Sequence, residues 1–407
     1  KQTICCFKGL TQKKRKGYFT MGQTKNYNLS SENTAWAEEI YQKILKKMEK
    51  VEERNREAIP YMPHDGRYNN YNTPEMRGWW TNGFWAGIMW QLYAVTGNER
   101  YAETARFTEE VFDECIKDYT RLDHDMGFMW LHTAVADYRL TKNEKSRTRG
   151  LHVASIFSSR FNSNGNFIRA WNTWGPNDTV DKTGWAIIDC MMNVPLLHWA
   201  SDETNDPRFR EVAIRHTNTV MKEFIRPDGS SNHIVSFDPY TGEKIETFGG
   251  QGYENGSSWT RGQGWALYGF ALAYIHTKNQ EYLDTAKRVA HYFIANIPEN
   301  GLIPIDFRAP KEPAWEDSSA ACIAACGLLE IANYVPEYEK DCYVNAALRL
   351  LKALVEQRSN WDENVDNIIE NCGVAYHSEE HNVGLIYGDY FFIEAIFKLL
   401  GKGEFLW

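Results

Sequence analysis

Two aspartates in this sequence lie where a carboxylate could act on a substrate, and the first of them is Asp189. It stands in the apolar run GWAIIDCMMNVPLL, residues 184–197. An ionised carboxylate is costly to bury, so burial raises the pKa of such an aspartate and favours its protonated form near neutral pH. A protonated carboxyl group is what a general acid requires. The alternative is a structural aspartate that pairs with an arginine or caps a helix, and Asn193 with Pro195 could restart a helix here.

The second aspartate, Asp125, follows His124 in the segment LDHDMGF, where a helix is predicted to begin. An aspartate at such a position is most often an N-cap. Two carboxylates that face one pocket are nevertheless the minimum equipment for cleaving a glycosidic bond, one as the acid and the other as a base or charge stabiliser. Asp125 and Asp189 are therefore the candidate catalytic pair.

Tryptophan is frequent in this sequence, at 15 of 407 residues. Indole faces can stack on the C–H groups of a sugar ring, although tryptophan also fills protein cores. Arg261 lies between Trp259 and Trp265, where its guanidinium could hold a substrate carboxylate or form a salt bridge with one of the acids. Further polar and aromatic candidates are Trp80, His124, His233 and Gln251, and Asp317 is predicted to be a helix N-cap. This mixture of residues is typical of a sugar-binding site.

Helical patterns dominate the chain and must position these residues. Apolar helices end at turn-like segments such as YAVTGNERYAE and YIHTKNQEYLD, and a charged amphipathic helix follows each, which predicts helix hairpins. Six pairs are predicted. The first helix of each pair is rich in Gly, Ala and aromatic residues, which favours close packing in an inner ring. We therefore predict an all-α fold, an (α/α)6 barrel or six-hairpin toroid, with the inner-helix starts and their polar residues around one pocket.

Composition excludes several kinds of partner and indicates a location. With 45 basic and 54 acidic residues the formal net charge is −9, and no basic stretch after residue 20 could follow a phosphate backbone, so nucleic acid is not an expected partner. No apolar run reaches the length of a membrane span, so no membrane partner is expected. The eight cysteines lack metal-ligand spacing, and Cys322 and Cys326 are expected in the core, which favours reduced thiols and a cytoplasmic protein.

The chain is predicted to contain one domain. Residues 1–20 differ in character from the rest and are predicted to be an N-terminal extension, disordered or not native, because Met21 could be the natural start. Residues 21–407 are then a single (α/α)6-barrel catalytic domain, expected as a monomer or weak dimer.

One segment imitates a metal site. HSEEH, residues 377–381, matches the H-x-x-E-H pattern of zinc peptidases, which must lie on a helix to bring both imidazoles to one metal. Here it lies in a polar stretch before the helix start at Gly384. No P-loop or dinucleotide fingerprint occurs either. We therefore predict neither a metal nor a cofactor.

Five blocks of the sequence, in order from about Trp80 to Leu400, resemble the unsaturated glucuronyl hydrolases of glycoside hydrolase family 88. The blocks are LDHDMGF, GWAIIDCMMNVPLLHWA, QGYENGSSWTRGQGWALYGFALAY, EDSSAACIAACGLLEIA and GDYFFIEAIFKLL. The resemblance implies the (α/α)6 barrel and the removal of a 4,5-unsaturated uronic acid from the non-reducing end of lyase-generated glycosaminoglycan oligosaccharides. The reaction implied is hydration of the C4=C5 double bond.

The resemblance also implies roles for individual residues. Asp189 matches the aspartate that donates a proton to C4 and activates water for C5, and Asp125 matches the second essential carboxylate. By matching motif, Trp80 and Trp265 resemble stacking walls, and Trp174 is a further substrate-binding residue, in a loop before Asp189 that varies in length in the family. The polar contacts to the uronate are similarly carried over to His233, Gln251 and Arg261, and His124 is a further substrate-binding candidate.

One departure from the family concerns sulfated substrates. Some members that accept sulfated fragments carry Ser-x-x-Ser-x-Lys shortly before the last inner helix, and the corresponding run here is AYHSEE, residues 375–380. Ala375 replaces the first Ser and Glu380 replaces the Lys. Because a carboxylate repels a sulfate, unsulfated hyaluronan or chondroitin disaccharides are expected to be better substrates than sulfated ones.

Three alternatives remain at this stage. An unsaturated rhamnogalacturonyl hydrolase would share the fold and chemistry but act on pectin fragments, and the His124–Asp125 pair favours the glucuronyl interpretation. An inverting glycosidase of the same shape would cleave saturated sugars. A non-catalytic carbohydrate-binding toroid would leave a buried Asp189 as an unexplained stability cost.

Overall fold

Helices make up most of the structure, a computed structural model that describes residues 27–173 and 178–407. The helices are α1 (Ser31–Asn55), α2 (Gly83–Thr96), α3 (Glu99–Lys117), α4 (Met126–Trp130), α5 (Ala136–Thr141), α6 (Glu144–Ser158), α7 (Pro195–Thr204), α8 (Pro207–Glu223), α9 (Thr260–Thr277), α10 (Gln280–Ala295), α11 (Ser318–Ala332), α12 (Glu337–Gln357) and α13 (Ile386–Leu399). Short 3-10 turns span Trp80–Asn82, Tyr119–Arg121 and Ile188–Met192, and a π-helical turn, Leu131–Val135, joins α4 to α5. The extension predicted over residues 1–20 lies outside the described residues.

The helices pair into six hairpins that close into a ring. The inner helices are α2, α4 with α5, α7, α9, α11 and α13, and they are apolar and buried over most of their length. The outer partners are α3, α6, α8, α10 and α12, and α1 packs against α13 to close the ring. The all-α (α/α)6 barrel predicted from the sequence is confirmed.

Four hairpins turn at the same three-residue corner, which the sequence displays as TGN, TKN, TND and TKN. The threonine hydroxyl donates to the carbonyl four residues back, the middle residue adopts a left-handed conformation, and the Asn or Asp side chain caps the outer helix. These corners are Thr96–Asn98, Thr141–Asn143, Thr204–Asp206 and Thr277–Asn279. Helix termination, reversal and capping are thus encoded locally, which explains why the hairpins are visible in the sequence.

Strands are short and lie at the end of the barrel where the inner helices begin, hereafter the rim. Antiparallel pairs form between β1 (Pro60–His64) and β2 (Arg67–Asn70) and between β3 (Phe161–Asn162) and β4 (Phe167–Ile168). A three-stranded sheet contains β5 (Trp185–Ile187), β6 (Ile234–Phe237) and β7 (Lys244–Phe248) in that order. Ile188 N–H donates to His233 O beside this sheet, which brings the chain before Asp189 next to His233.

The barrel interior is packed with side chains below the rim. Trp407 is fully buried, stacks on Phe391 with ring centroids 5.8 Å apart, and donates its indole N–H to Glu394 at 3.0 Å. Cys322 and Cys326 are buried on α11, as predicted. None of the helices in the described ranges is long and apolar enough to cross a membrane.

Candidate active site

The starts of the inner helices carry the predicted site residues to the rim. Asp125 occupies the N-cap position of α4, Asp189 lies in the 3-10 turn that precedes α7, and Arg261 lies in the first turn of α9. Trp80 opens the 3-10 turn before α2. The helix that the sequence allowed to restart near Asn193 does begin at Pro195, so Asp189 is presented by an irregular turn and not by a continuous helix.

Asp189 is buried without a strong partner. Its side chain is 14% exposed, His233 Nε2 lies 3.6 Å from its Oδ2, and Oδ2 accepts no hydrogen bond from a described residue. Desolvation raises the pKa of Asp189 to about 7, against the opposing charge of Arg261, and Trp265 faces the carboxyl without normal hydrogen-bond geometry. The carboxyl group is therefore partly protonated at neutral pH, as its apolar flanks predict. It can deliver a proton to a substrate.

Asp125 lies in a cluster of charged side chains. Its carboxylate is 3.4 Å from His124 Nε2, and its backbone N–H donates to Asp123 Oδ1 at 2.9 Å. The pKa of Asp125 is raised well above its usual value, chiefly by burial and then by the charges of Asp123 and Asp189, and an Asn193 hydrogen bond and the charge of Arg160 only partly oppose this rise. Its side chain makes no capping bond to α4, so the N-cap alternative does not account for it. Asp123 and Arg160 had no distinguishing signal in the sequence.

His233 and Gln251 form one hydrogen-bonded unit. Gln251 N–H donates to His233 Nδ1 at 3.0 Å, and the Gln251 side-chain amide donates to Val374 O at 3.0 Å. Burial lowers the pKa of His233 to about 3, so its imidazole is neutral. Nδ1 also lies 3.2 Å from Gly249 O, but the shorter contact with Gln251 N–H assigns Nδ1 as an acceptor. The proton is then on Nε2, which faces Asp189.

Arg261 is paired within the protein. Its Nη1 donates to Asp317 Oδ2 at 2.5 Å and to Gly373 O at 2.6 Å, and its Nη2 donates to Val374 O at 2.5 Å. The guanidinium is 1% exposed and lies over the ring of Trp259 at 4.6 Å. The salt-bridge alternative is therefore present in this structure, and direct contact of Arg261 with a substrate carboxylate stays a prediction. Asp317 is the N-cap of α11, as predicted.

The tryptophans predicted to line the site differ in position. Trp80 is half-buried at the rim and packs on Tyr387, with ring centroids 5.0 Å apart. Trp265 is fully buried beneath Asp189 and packs on Phe128 at 5.1 Å. Trp80 can present a ring face to a ligand, and Trp265 supports the floor of the site. Trp174 lies outside the described residues.

Two groups of residues in the described ranges have side chains of the types that bind metals. In HSEEH, His377 Nε2 contacts Tyr253 O and His381 Nε2 contacts Tyr376 O, in a segment that is not helical, as predicted. Asp123, His124 and Asp125 bring one ligand atom each within 4.8 Å of one another. The contact of His124 Nε2 with Asp125 Oδ2 and the hydrogen bond from Asp125 N–H to Asp123 Oδ1 account for this proximity, and the absence of a metal stays a prediction.

The comparisons with known proteins agree on one family. The family model of Glycosyl Hydrolase Family 88 matches residues 31–400. The unsaturated glucuronyl hydrolase of Bacillus sp. strain GL1 is 39% identical over 331 residues, which cover 79% of this chain and 86% of that relative. The unsaturated chondroitin disaccharide hydrolase of Streptococcus pyogenes serotype M1 is 34% identical and covers 78% and 80%.

A solved structure supports the same assignment. It is a mutant unsaturated glucuronyl hydrolase of Streptococcus agalactiae complexed with dGlcA-GalNAc6S, which is 28% identical, superimposes with a TM-score of 0.78, and covers 92% of this chain and 94% of that one. With the family model spanning nearly the whole ring of hairpins, the chain belongs to glycosyl hydrolase family 88.

Proposed function

We propose that this enzyme is an unsaturated glucuronyl hydrolase in which Asp189 is the general acid. It removes the 4,5-unsaturated uronic acid from the non-reducing end of lyase-generated glycosaminoglycan oligosaccharides. The observation that supports the acid most directly is the buried Asp189 carboxyl, whose pKa burial raises to about 7 and whose Oδ2 accepts no hydrogen bond from the described residues. The names of the relatives support the glycosaminoglycan substrate over the pectin alternative.

The reaction begins with the transfer of a proton to a carbon atom of the substrate. The C4=C5 bond is part of a vinyl ether, which is a weak base at carbon, so the acid must be held protonated beside C4. Asp189 transfers its proton to C4, and positive charge develops at C5 and the ring oxygen. Water adds to C5 and returns a proton to Asp189. The resulting hemiketal opens to a ketone at C5, and C1 releases the next sugar as an alcohol, for a net addition of one water molecule.

Asp125 is placed to stabilise the charge that develops at C5. Burial and the neighbouring carboxylates raise the pKa of Asp125, and the positive charge that develops on the substrate favours its ionised form. In that form the carboxylate stabilises the charge effectively, because little water screens a partner in a buried site. His233 faces Asp189 with a neutral imidazole and can hold the carboxyl orientation in both protonation states. Trp80 offers a ring face for stacking. Roles for His124, Trp174, Gln251, Arg261 and Trp265 remain those that the family resemblance implies.

Residues 375–380 border this site in a way that bears on sulfation. Val374 O accepts from both Arg261 and Gln251, so the segment that follows begins in direct contact with the proposed binding residues. Glu379 and Glu380 are exposed in it. Since carboxylates disfavour a nearby sulfate, we propose that unsulfated disaccharides are the preferred substrates.

The test of the reaction follows the ultraviolet absorbance of the conjugated double bond in unsaturated hyaluronan and chondroitin disaccharides. Wild-type protein is expected to remove the absorbance and Asp189→Asn to leave it. The matched control is Asp284→Asn, an exposed aspartate on α10, which should behave as wild type. Persistence of the absorbance with wild-type protein, or turnover by Asp189→Asn at the wild-type rate, would refute the assignment.

A competition between substrates tests the preference. An unsulfated chondroitin disaccharide should have a higher kcat/KM than its 6-sulfated counterpart. Glu380→Lys should make this difference in kcat/KM smaller. Faster turnover of the sulfated disaccharide by the wild-type enzyme would contradict the proposal.

The proposal also covers the domain organisation, the oligomeric state and the location of the protein. Residues 21–407 form one catalytic domain, the protein is a monomer or weak dimer, and it works in the cytoplasm on small oligosaccharides. The closure of the ring by α1 and α13 supports the single domain. The unpaired cysteines among the described residues support the cytoplasmic location. Limited proteolysis tests the single domain, light scattering after gel filtration tests the oligomeric state, and fractionation of the source cells tests the cytoplasmic location.

A further inference from the structure

Asn193 contacts both halves of the catalytic pair. Its Nδ2 group donates to Asp125 Oδ1 at 3.0 Å and to the backbone oxygen of Asp189 at 3.1 Å. Its Oδ1 accepts from Phe128 N–H at 2.7 Å. Asn193 is fully buried, and its two N–H donors and carbonyl acceptor are all engaged, so its orientation is fixed.

We propose that Asn193 is a positioning residue for the hydration reaction, which fixes the Asp125 carboxylate against the Asp189 turn and favours the ionised form of Asp125. The inference rests on the proposed function, from which it takes the roles of the two aspartates. Nothing in the resemblance or the relatives' names assigns Asn193 a part.

The backbone around Asn193 is built for this contact. A Cβ added to Gly127 would lie 2.4 Å from Asn193 Cα and 2.7 Å from its Oδ1, closer than atoms can approach. Gly127 is the second residue of α4, so the start of that helix lies directly against Asn193. Two neighbouring hairpins are thus held together at the rim, beside the atoms that react.

The surroundings of Asp125 make its charge depend on this hydrogen bond. The titratable and charged groups that face Asp125 are Asp123, His124, Arg160, Asp189 and Cys190. Burial and the two neighbouring carboxylates favour protonation of Asp125, and His124 is neutral because burial lowers its pKa. Arg160 donates to the backbone oxygens of Leu122, Arg169 and Ala170 and acts on Asp125 only through its charge. Asn193 donates to Asp125 Oδ1 at 3.0 Å and His124 Nε2 lies 3.4 Å from Oδ2, so Asn193 makes the shorter of these two side-chain contacts with the Asp125 carboxylate.

The test measures kcat and KM against pH with an unsaturated chondroitin disaccharide for Asn193→Ser and Asn193→Asp. The serine variant lacks the amide group. The aspartate variant keeps the size of asparagine but replaces the Nδ2 donor with a carboxylate oxygen that faces Asp125. Because a hydrogen bond to a charged group favours the ionised form, its loss should move the acidic limb of kcat/KM upward by about one pH unit or more. The maximum of kcat should fall about tenfold or more, with KM changed by less than about threefold.

Asn55 provides a matched control. Its Nδ2 donates to a buried carboxylate, Asp366 Oδ2, at 3.2 Å and to the backbone oxygen four residues back, Val51 O, at 2.9 Å. Asn193 has the same pattern with Asp125 and Asp189. Asn55→Ser and Asn55→Asp should therefore cost similar stability while leaving the acidic limb and kcat in place.

Each outcome decides the matter. A folded Asn193 variant with an unmoved acidic limb overturns the proposal, and so does an equal shift in the Asn55 variants. If both Asn193 variants fail to fold while the Asn55 variants fold, the residue is structural and the positioning role is overturned. Failure of the proposed function has a separate signature that does not depend on Asn193: either wild-type protein leaves the absorbance in place, or Asp189→Asn removes it at the wild-type rate.

Discussion

The raised pKa of Asp189 predicts that the wild-type protein loses stability relative to Asp189→Asn as the pH rises. A carboxyl group whose pKa is higher in the folded than in the unfolded protein binds more protons when folded, so stability falls as pH rises from the unfolded to the folded value. Here the pKa rises from 3.8 to about 7. At about 1.36 kcal/mol per pKa unit, the folded state loses about 4 kcal/mol between pH 4 and 8.

An asparagine at position 189 removes this loss because it does not ionise. The difference in unfolding free energy between Asp189→Asn and wild type should increase by about 4 kcal/mol from pH 4 to pH 8, whatever the fixed cost of burying the amide. Urea unfolding across this pH range measures the difference, and titrations common to both proteins largely cancel. A difference that does not change with pH would refute the reasoning, since Asp189 would then titrate alike in both states.

Asp317→Asn is the matched control for this experiment, because it makes the same chemical change at another buried aspartate on the rim. Asp317 is fully paired, with Arg261 on one oxygen and Ser319 N–H and Oγ–H on the other. Removing its charge leaves a buried guanidinium without its partner, which costs about 3–5 kcal/mol. Asp317→Asn should therefore destabilise the protein at pH 8, whereas Asp189→Asn gains stability relative to wild type between pH 4 and pH 8.

Three further predictions follow from the same structure. The wild-type kcat/KM should fall about tenfold per pH unit above pH 7, as Asp189 loses its proton, and a flat basic limb would contradict its role as acid. Gly127→Ala should displace Asn193 and lower kcat by at least about tenfold, and unchanged kinetics would show that the close contact is dispensable. Trp407→Ala should lower the unfolding free energy by about 3–5 kcal/mol by removing the ring that stacks on Phe391, which thermal unfolding measures.

Local signals explain why the fold could be predicted. The corner Thr–x–Asn/Asp ends one helix and caps the next within three residues, so short sequence motifs identify four of the hairpins. The apolar flanks of Asp189 likewise foretold its burial and its raised pKa. Both inferences depend only on neighbours along the chain.

The partners of Asn193 and Arg261 depend on the ring closing and so escaped prediction. Asn193 reaches Asp125 across 68 positions, and Arg261 reaches Asp317 across 56. From the sequence, Asn193 was a helix-restart signal, and Arg261 was left between a substrate contact and a salt bridge. Asn193 stands four residues after Asp189, which in hindsight is the spacing at which a side chain can bond back to the aspartate's own carbonyl.

Hydrogen bonding separates the structural aspartates of the rim from the proposed general acid, which composition could not do. Asp389, in the first turn of α13, accepts from Ile368 N–H, Ile369 N–H and the Tyr68 hydroxyl. It and Asp317 have their hydrogen-bonding capacity met by the protein and stabilise loops and a helix start. Asp189 is also largely enclosed, with its side chain 14% exposed, yet its Oδ2 has no such donor among the described residues. Because an unsatisfied buried carboxyl is costly, its retention beside a neutral His233 is best explained by a substrate that completes the site.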